Sequence, residues 1–217
     1  MAETFNPWKE FPPSGRGLDE YLKFLELTRD DLAGKKILDI GSGLNQCAED
    51  IKKERLRADV VPFDYFYSLP QHARENLYKN RYDEKDFVKV KEALGRVGGS
   101  GLTGELVAGR AEKLPFRDES FDMVICFFSM PLYAESREQA GAFMREVERV
   151  LKKGGTARIY PSRYGGKGDI PSTRIEREYA DALEHSSVRE IRDRDKFKVT
   201  IIEKNKEKGN AGGAEGY

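Results

Sequence analysis

Lys35-Lys36-Ile37-Leu38-Asp39-Ile40-Gly41-Ser42-Gly43-Leu44-Asn45-Gln46 is the stretch whose reading decides the fold. Its first half is a short apolar run that ends in a carboxylate, as a buried strand would. Two glycines at alternate positions then make a tight turn, and a helix is expected to start directly after it. Glycines at 41 and 43 let the backbone approach a ligand with no Cβ in the way, and the free N–H groups that open the helix favour an anionic group such as a carboxylate. Asp39 at the strand end would complement an ammonium and repel a pyrophosphate. A dinucleotide-binding turn needs a third glycine at 46, where Gln46 is too large for close helix–strand packing. The turn therefore fits an amino-acid-like ligand better than a dinucleotide.

Working outward, apolar runs at residues 37–40, 58–63, 105–108, 121–127 and 155–160 alternate with helical patterns. Continuous apolarity suits strands buried on both faces, and the alternation predicts a Rossmann-like, doubly wound α/β sheet with helices on both faces. Asp64 ends the second run, 21 positions after Gly43. A carboxylate there accepts the hydroxyls of a nucleoside ribose in such folds. The helix before the fifth run is marked by Ser136 and Gln139 at capping-box spacing and by the stripe Phe143, Met144, Val147, Val150 and Leu151, with Gly154-Gly155 expected to stop it.

Upstream, Leu18, Tyr21, Leu22 and Leu25 lie on one face of an amphipathic helix, preceded by an irregular arm over residues 1–17. About forty residues separate the second and third runs, longer than one helix and its loops, with helices expected at 70–80 and 87–97. Downstream, a helix is expected over 173–185. Strands at 188–192 and 197–203 follow, with a turn so short that they must pair antiparallel. The Gly-rich polar tail from 204 is expected to be disordered.

The composition narrows the function. With 38% apolar and 35% charged residues over 217 positions, the chain supports a single core under a charged surface. No run approaches the ~20 apolar residues of a membrane span. The opening MAETFNPWKEF has no apolar signal core, so a cytoplasmic location is expected. Cys47 and Cys126 are far apart, and no metal site is expected. Lysine plus arginine balances aspartate plus glutamate at 38 each, which gives no electrostatic reason to expect nucleic acid or a membrane as partner.

Three blocks now form one pattern: LDIGSG in the turn, GRAEKLPFRDESFDMVICFFSM from Gly109 to Met130, and FMREVERVLKKGGTARIY from Phe143 to Tyr160. Their wording and order resemble the class I S-adenosylmethionine-dependent methyltransferases, in particular the methyltransferase type 11 family that includes quinone-biosynthesis enzymes. The family's turn ends in glycine where this chain has Asn45, a residue that tolerates the left-handed conformation better than most. The resemblance implies S-adenosyl-L-methionine as cofactor. Asp39, Gly41, Ser42, Gly43, Leu44 and Asn45 would hold its methionine moiety, Asp64 and Tyr65 the ribose side, and Ala111 and Glu112 the adenine, with the loop from Phe127 to Met130 at the border of the methyl-transfer centre. Arg110 stands where the family often has an aspartate that bonds the adenine amino group. The domain would span 35–203 with an insertion at 65–104, after an N-terminal arm and helix at 1–34.

Methyl transfer from a sulfonium is a direct in-line displacement that requires positioning and exclusion of water, with no protein nucleophile; no catalytic residue is assigned. Phe128, Tyr133, Tyr160, Tyr67 and His72 are the candidate acceptor-binding residues. The chain reads Phe128-Ser129-Met130-Pro131 after the fourth run, which lacks the Asn/Asp-Pro-Pro-aromatic signature of base N-methylation. A small-molecule acceptor is the first expectation and a protein side chain the second, for a chain assumed monomeric. A non-catalytic S-adenosylmethionine-binding module and a nicotinamide-dependent oxidoreductase are the rival readings. Two structural expectations accompany the first reading. Gly41→Val should abolish cofactor binding yet leave the fold largely intact, and the arm and helix before Lys35 together with the insertion should carry substrate choice, with Gly98 to Gly101 as a hinge.

Overall fold

The computed structural model describes residues 15–79, 92, 94, 106–134, 136–161, 163–164, 173–174, 183–192 and 198–205. In chain order these form α1 Leu18–Phe24, α2 Arg29–Leu32, β1 Lys36–Ile40, α3 Gln46–Lys53, β2 Asp59–Phe63, α4 Gln71–Lys79 and β3 Phe121–Phe127. Then come α5 Arg137–Val150, β4 Leu151–Tyr160, the short β5 Arg163–Tyr164 and β6 Thr173–Arg174, β7 Ser186–Arg192 and β8 Lys198–Lys204. Six strands make one sheet in the order β2-β1-β3-β4-β8-β7. The first four are parallel, and β8 lies antiparallel between β4 and β7.

The apolar runs place a core on each face. Ile37 packs with Leu18, Leu22, Cys47 and Ile51, under α1 and α3. Its neighbours Leu38 and Ile40 pack with Phe143, Met144 and Val147 of α5 on the other face. The sheet is therefore a Rossmann-like layer with helices on both sides, as the alternation predicts.

Several local expectations need correction. In the run expected at 105–108, the described residues 106–108 do not form a strand. Among the described ones, Val107 alone pairs, as a parallel bridge to Phe63, with Asp64 N–H donating to its carbonyl. Gly109 then passes so close to the Phe63 ring that a Cβ would lie 2.9 Å from it, and the chain turns away. The helix expected over 173–185 is absent at both of its described ends. Thr173 and Arg174 pair with Tyr164 and Arg163, and residues 183–185 are irregular, with the N–H groups of Glu184 and His185 donating to the Glu148 carboxylate. The interior of that segment, the 87–97 helix except Glu92 and Leu94, the Gly98 to Gly101 hinge and the tail beyond 205 lie outside the described residues.

α5 begins as expected, with Gln139 N–H donating to Ser136 Oγ at 3.1 Å. It ends at Val150, four residues before the glycines. Leu151 is fully buried and pairs with Phe121, so burial of its side chain in the sheet replaces another helical turn. Residues 152–155 bulge before Thr156 resumes the ladder opposite Met123, and Gly154 supplies the positive φ of 77° that the bulge requires. α2, a single turn, has no apolar stripe to announce it, and Thr28 and Asp31 cap it reciprocally.

Near the end of α5, Arg149 secures the loop that leads into β3. Its guanidinium donates to the carbonyls of Leu114 and Phe116 and to the carboxylates of Asp118 and Glu146. Arg149→Ala leaves those groups without their donor, and we expect a loss of about 2–3 kcal/mol. A urea midpoint that does not move, at unchanged slope, would refute that role.

Candidate functional site

β1 and β2 deliver their last residues to the same end of the sheet, where ligands lie in open α/β folds. Asp39 is fully buried there. Tyr21 on α1 donates its hydroxyl hydrogen to Asp39 Oδ1 at 3.3 Å, while Oδ2 is buried without a hydrogen-bond partner. Burial pushes the Asp39 carboxyl up to about 8, against the Tyr21 bond and with help from the nearby Asp64 charge. A buried carboxylate oxygen without a donor is costly unless a cation or donor completes it.

The turn that follows is held by β2. Gly41 N–H donates to the Phe63 carbonyl at 2.7 Å, and Gly43 N–H donates to Asp64 Oδ2 at 2.9 Å. Phe66 N–H donates to the other Asp64 oxygen at 2.8 Å. Asp64, 9% exposed, thus fixes its own turn and the glycine turn together. Each of its oxygens retains a second lone pair. The hydroxyls of Ser42 and Tyr67 share a hydrogen bond at 2.8 Å. Leu44 is buried, and Asn45 adopts the left-handed conformation at φ 62° to open α3. Gly41 and Gly43 also have positive φ, 80° and 56°.

Gly41 departs from expectation. A Cβ built on it would lie 2.1 Å from Ser129 Oγ, so the space it leaves is filled by a side chain of the β3 loop. The expectation that Gly41→Val spares the fold is therefore corrected. Even Gly41→Ala is expected to destabilise the ligand-free protein by about 1–3 kcal/mol, from the clash and the positive φ together. Ser129→Gly should recover part of that loss in thermal denaturation. An alanine variant as stable as wild type would rule out the contact.

The remaining candidates divide. Phe127, Phe128 and Tyr160 meet at the ends of β3 and β4, with ring centroids 5.1–5.8 Å apart, and Tyr21 and Phe24 of α1 pack against Phe127. Phe127 and Tyr160 are core residues, 2% and 1% exposed. Phe128 is half-buried, and Tyr133, five positions on, is partly buried. Tyr65 is exposed, and His72 sits on an exposed face of α4. Glu112 is bound by the exposed Arg110 at 2.7 Å and by Gln139 at 3.2 Å, so the guanidinium replacing the family's aspartate is directed to a carboxylate. Ala111 is partly buried against the core. The sequence points to the segments that carry Tyr21, Ser129 and Arg16 but not to their individual roles, because each reaches the site through a contact distant in sequence.

Two open clefts, of about 460 and 430 Å³, lie at the opposite end of the sheet, around Lys36 and Asp59, the first also lined by Asp122. Asp122 there is taken by Lys36 N–H and the Lys152 ammonium. These clefts gather no reactive set. Among the described residues no three His, Cys, Asp or Glu side chains converge to hold a metal, and no helix is long and apolar enough to cross a membrane.

A family model described as a methyltransferase domain matches residues 38–159, more than half of the chain. A search of curated proteins found no match. Among solved structures, the PH0226 protein of Pyrococcus horikoshii is 16% identical over 93% of this chain and 100% of its own, with a TM-score of 0.58. CalS10, an amino pentose methyltransferase of Micromonospora echinaspora solved with S-adenosylmethionine bound, is 14% identical over 88% and 94%, with a TM-score of 0.56. This chain spans about half the length, 52%, of the BH2331 protein of Bacillus halodurans, which is 24% identical over 70% of this chain with a TM-score of 0.41.

Proposed function

Because this chain belongs to the methyltransferase-domain family, whose cofactor is S-adenosylmethionine, we propose that it moves a methyl group from that cofactor to a small-molecule acceptor. The observation that carries the reading is the buried Asp39 Oδ2 without a partner, at the end of β1 and beside the glycine turn. The cofactor's ammonium supplies the missing donor. The turn from Gly41 to Asn45 lies against the methionine carboxylate, and Asp64 offers its remaining lone pairs to the ribose hydroxyls. Tyr65, Ala111 and Glu112 border the adenine. Arg110 pairs with Glu112 and would act on the adenine side through that carboxylate.

When bound, the cofactor supplies an already activated methyl electrophile, so the protein's task is placement and exclusion of water. Asp64 after β2 would hold the ribose and Asp39 on β1 the methionine end, and the loop after β3, the next strand in the sheet, would border the acceptor side. Its half-buried Phe128, together with Tyr133, walls the acceptor side, while Phe127 and Tyr160 support that wall from the core. Tyr67 holds Ser42 of the turn.

Calorimetry tests this directly. S-adenosylmethionine and S-adenosylhomocysteine are expected to bind one site competitively and to raise the melting temperature, because each selects the folded state. Mass spectrometry of an acceptor panel should then show one methyl group added to the true acceptor. Absence of binding by both cofactor forms would reject the reading.

A further inference from the structure

Resting on that reading of the site, the chemical class of the acceptor can be inferred from one cation. Arg16 lies in the segment that leads into α1. That segment is fastened to α3, since Leu18 N–H donates to Asp50 Oδ2 at 3.1 Å and Gly17 leaves no room for a Cβ beside the same carboxylate. From this anchor the Arg16 guanidinium reaches the tip of β3, 4.4 Å from the Phe128 ring centroid and 5.2 Å from that of Phe127. Such contacts hold a guanidinium in place through the electron-rich ring faces.

The platform beneath it is unusual. Phe128 has a φ of 51°, a conformation that a bulky side chain adopts only where surrounding structure imposes it. Its N–H donates to the Tyr160 carbonyl at 2.7 Å, which ties that strained residue to β4. The Tyr133 hydroxyl, raised chiefly by burial, lies within the fields of both Arg16 and Asp64. A fixed cation at that place favours an anionic acceptor, and the planar fork of arginine matches a carboxylate better than a spherical ion.

We propose that the methyl acceptor is a small carboxylic acid whose carboxylate pairs with Arg16 above the Phe127–Phe128 platform. The carboxylate is the recognition handle, and it orients the rest of the molecule toward the methyl group. A second guanidinium provides the internal comparison. Arg74 of α4 is 9% exposed, has no hydrogen-bond acceptor for Nε, and lies 6.0 Å from the Phe66 ring centroid on the β2 side.

The test uses benzoate and benzamide, close in size and shape but different in charge, titrated into the full chain saturated with S-adenosylhomocysteine. Benzoate is expected to bind about tenfold more tightly than benzamide or better, as one charge-assisted bidentate pair would give. Arg16→Gln should remove that preference while leaving benzamide affinity and S-adenosylhomocysteine affinity near wild type. Arg74→Gln should keep the preference. If Arg16 merely anchors its segment, Arg16→Gln instead lowers melting temperature and cofactor affinity and affects both probes alike, which overturns the proposal. So does equal binding of the two probes, no benzoate binding, loss of the preference in Arg74→Gln alone, or inorganic phosphate binding more tightly than benzoate. The benzoate-to-benzamide ratio on the wild-type chain decides without any variant. Failure of S-adenosylhomocysteine to bind would sink the site reading and this inference with it, whereas cofactor binding without a charge preference sinks the inference alone.

Discussion

Between about pH 5 and pH 8 the ligand-free protein is expected to lose on the order of 3–4 kcal/mol of stability through Asp39 alone. Burial raises the folded-state carboxyl to about 8, while the unfolded chain ionises near pH ~3.9. Over that interval the folded state keeps a proton that the unfolded state has released, so stability falls as pH rises and levels off above the folded value. Asp64 is shifted upward by burial too and acts in the same direction. Cys47 and Cys126, both raised by burial, add a further loss only at higher pH, where thiols of the unfolded chain ionise. Asp39→Asn should flatten the profile and be more stable than wild type at pH 8. The same substitution should weaken S-adenosylhomocysteine, because a neutral amide no longer pairs with the ammonium. Wild-type binding near pH 6.5 should also release close to one proton as Asp39 ionises against its partner, visible as a dependence of the calorimetric heat on the buffer. A pH profile identical in Asp39→Asn would remove this carboxyl as its source.

Asp64→Ala is expected to act twice. Losing the ribose contact would reduce affinity for S-adenosylmethionine and S-adenosylhomocysteine roughly ten- to a hundred-fold. The Gly43 and Phe66 N–H groups also lose their acceptor, which costs about 2–5 kcal/mol of stability if both stay buried. Denaturant titration gives the second effect and calorimetry on the folded fraction the first. Undiminished affinity in a folded Asp64→Ala protein would take this residue out of the site, whatever its effect on stability.

The parts of the fold visible in the sequence were those dictated by local chemistry. The run into Asp39, the glycine turn, the Ser136 cap and the closely spaced β7 and β8 each carry their signal within a few residues. Residues 105–108 had an apolar pattern too, yet among the described ones Val107 alone pairs, and two residues later Gly109 runs close against the Phe63 ring. The end of α5 was misplaced for a related reason: Gly154-Gly155 is a genuine breaker, but the helix had already yielded to the pairing of Leu151 with Phe121. In the site, Asp39 and Asp64 were recognisable by position relative to the turn. Tyr160 carried no mark that separates a pocket tyrosine from one packed between Phe24 and Phe127. Tyr21 reads only as a helix-stripe residue, and Arg16 and Ser129 only as members of the arm and of the loop after β3, since the partners that define their roles lie 18 to more than 100 positions away.

The position of β8 between β4 and β7 has a consequence for how the protein is made. A ribosome delivers β1 to β4 well before residues 198–204, so the nascent sheet waits with the edge of β4 unpaired, including the Ala157 and Ile159 backbone that β8 later covers. Because β7 joins the sheet only through β8, the two strands must dock as a hairpin or not at all. A chain interrupted before Lys198 would therefore lack an interior strand and present a bare, apolar template for other chains, making premature termination an aggregation hazard more than a loss of peripheral structure.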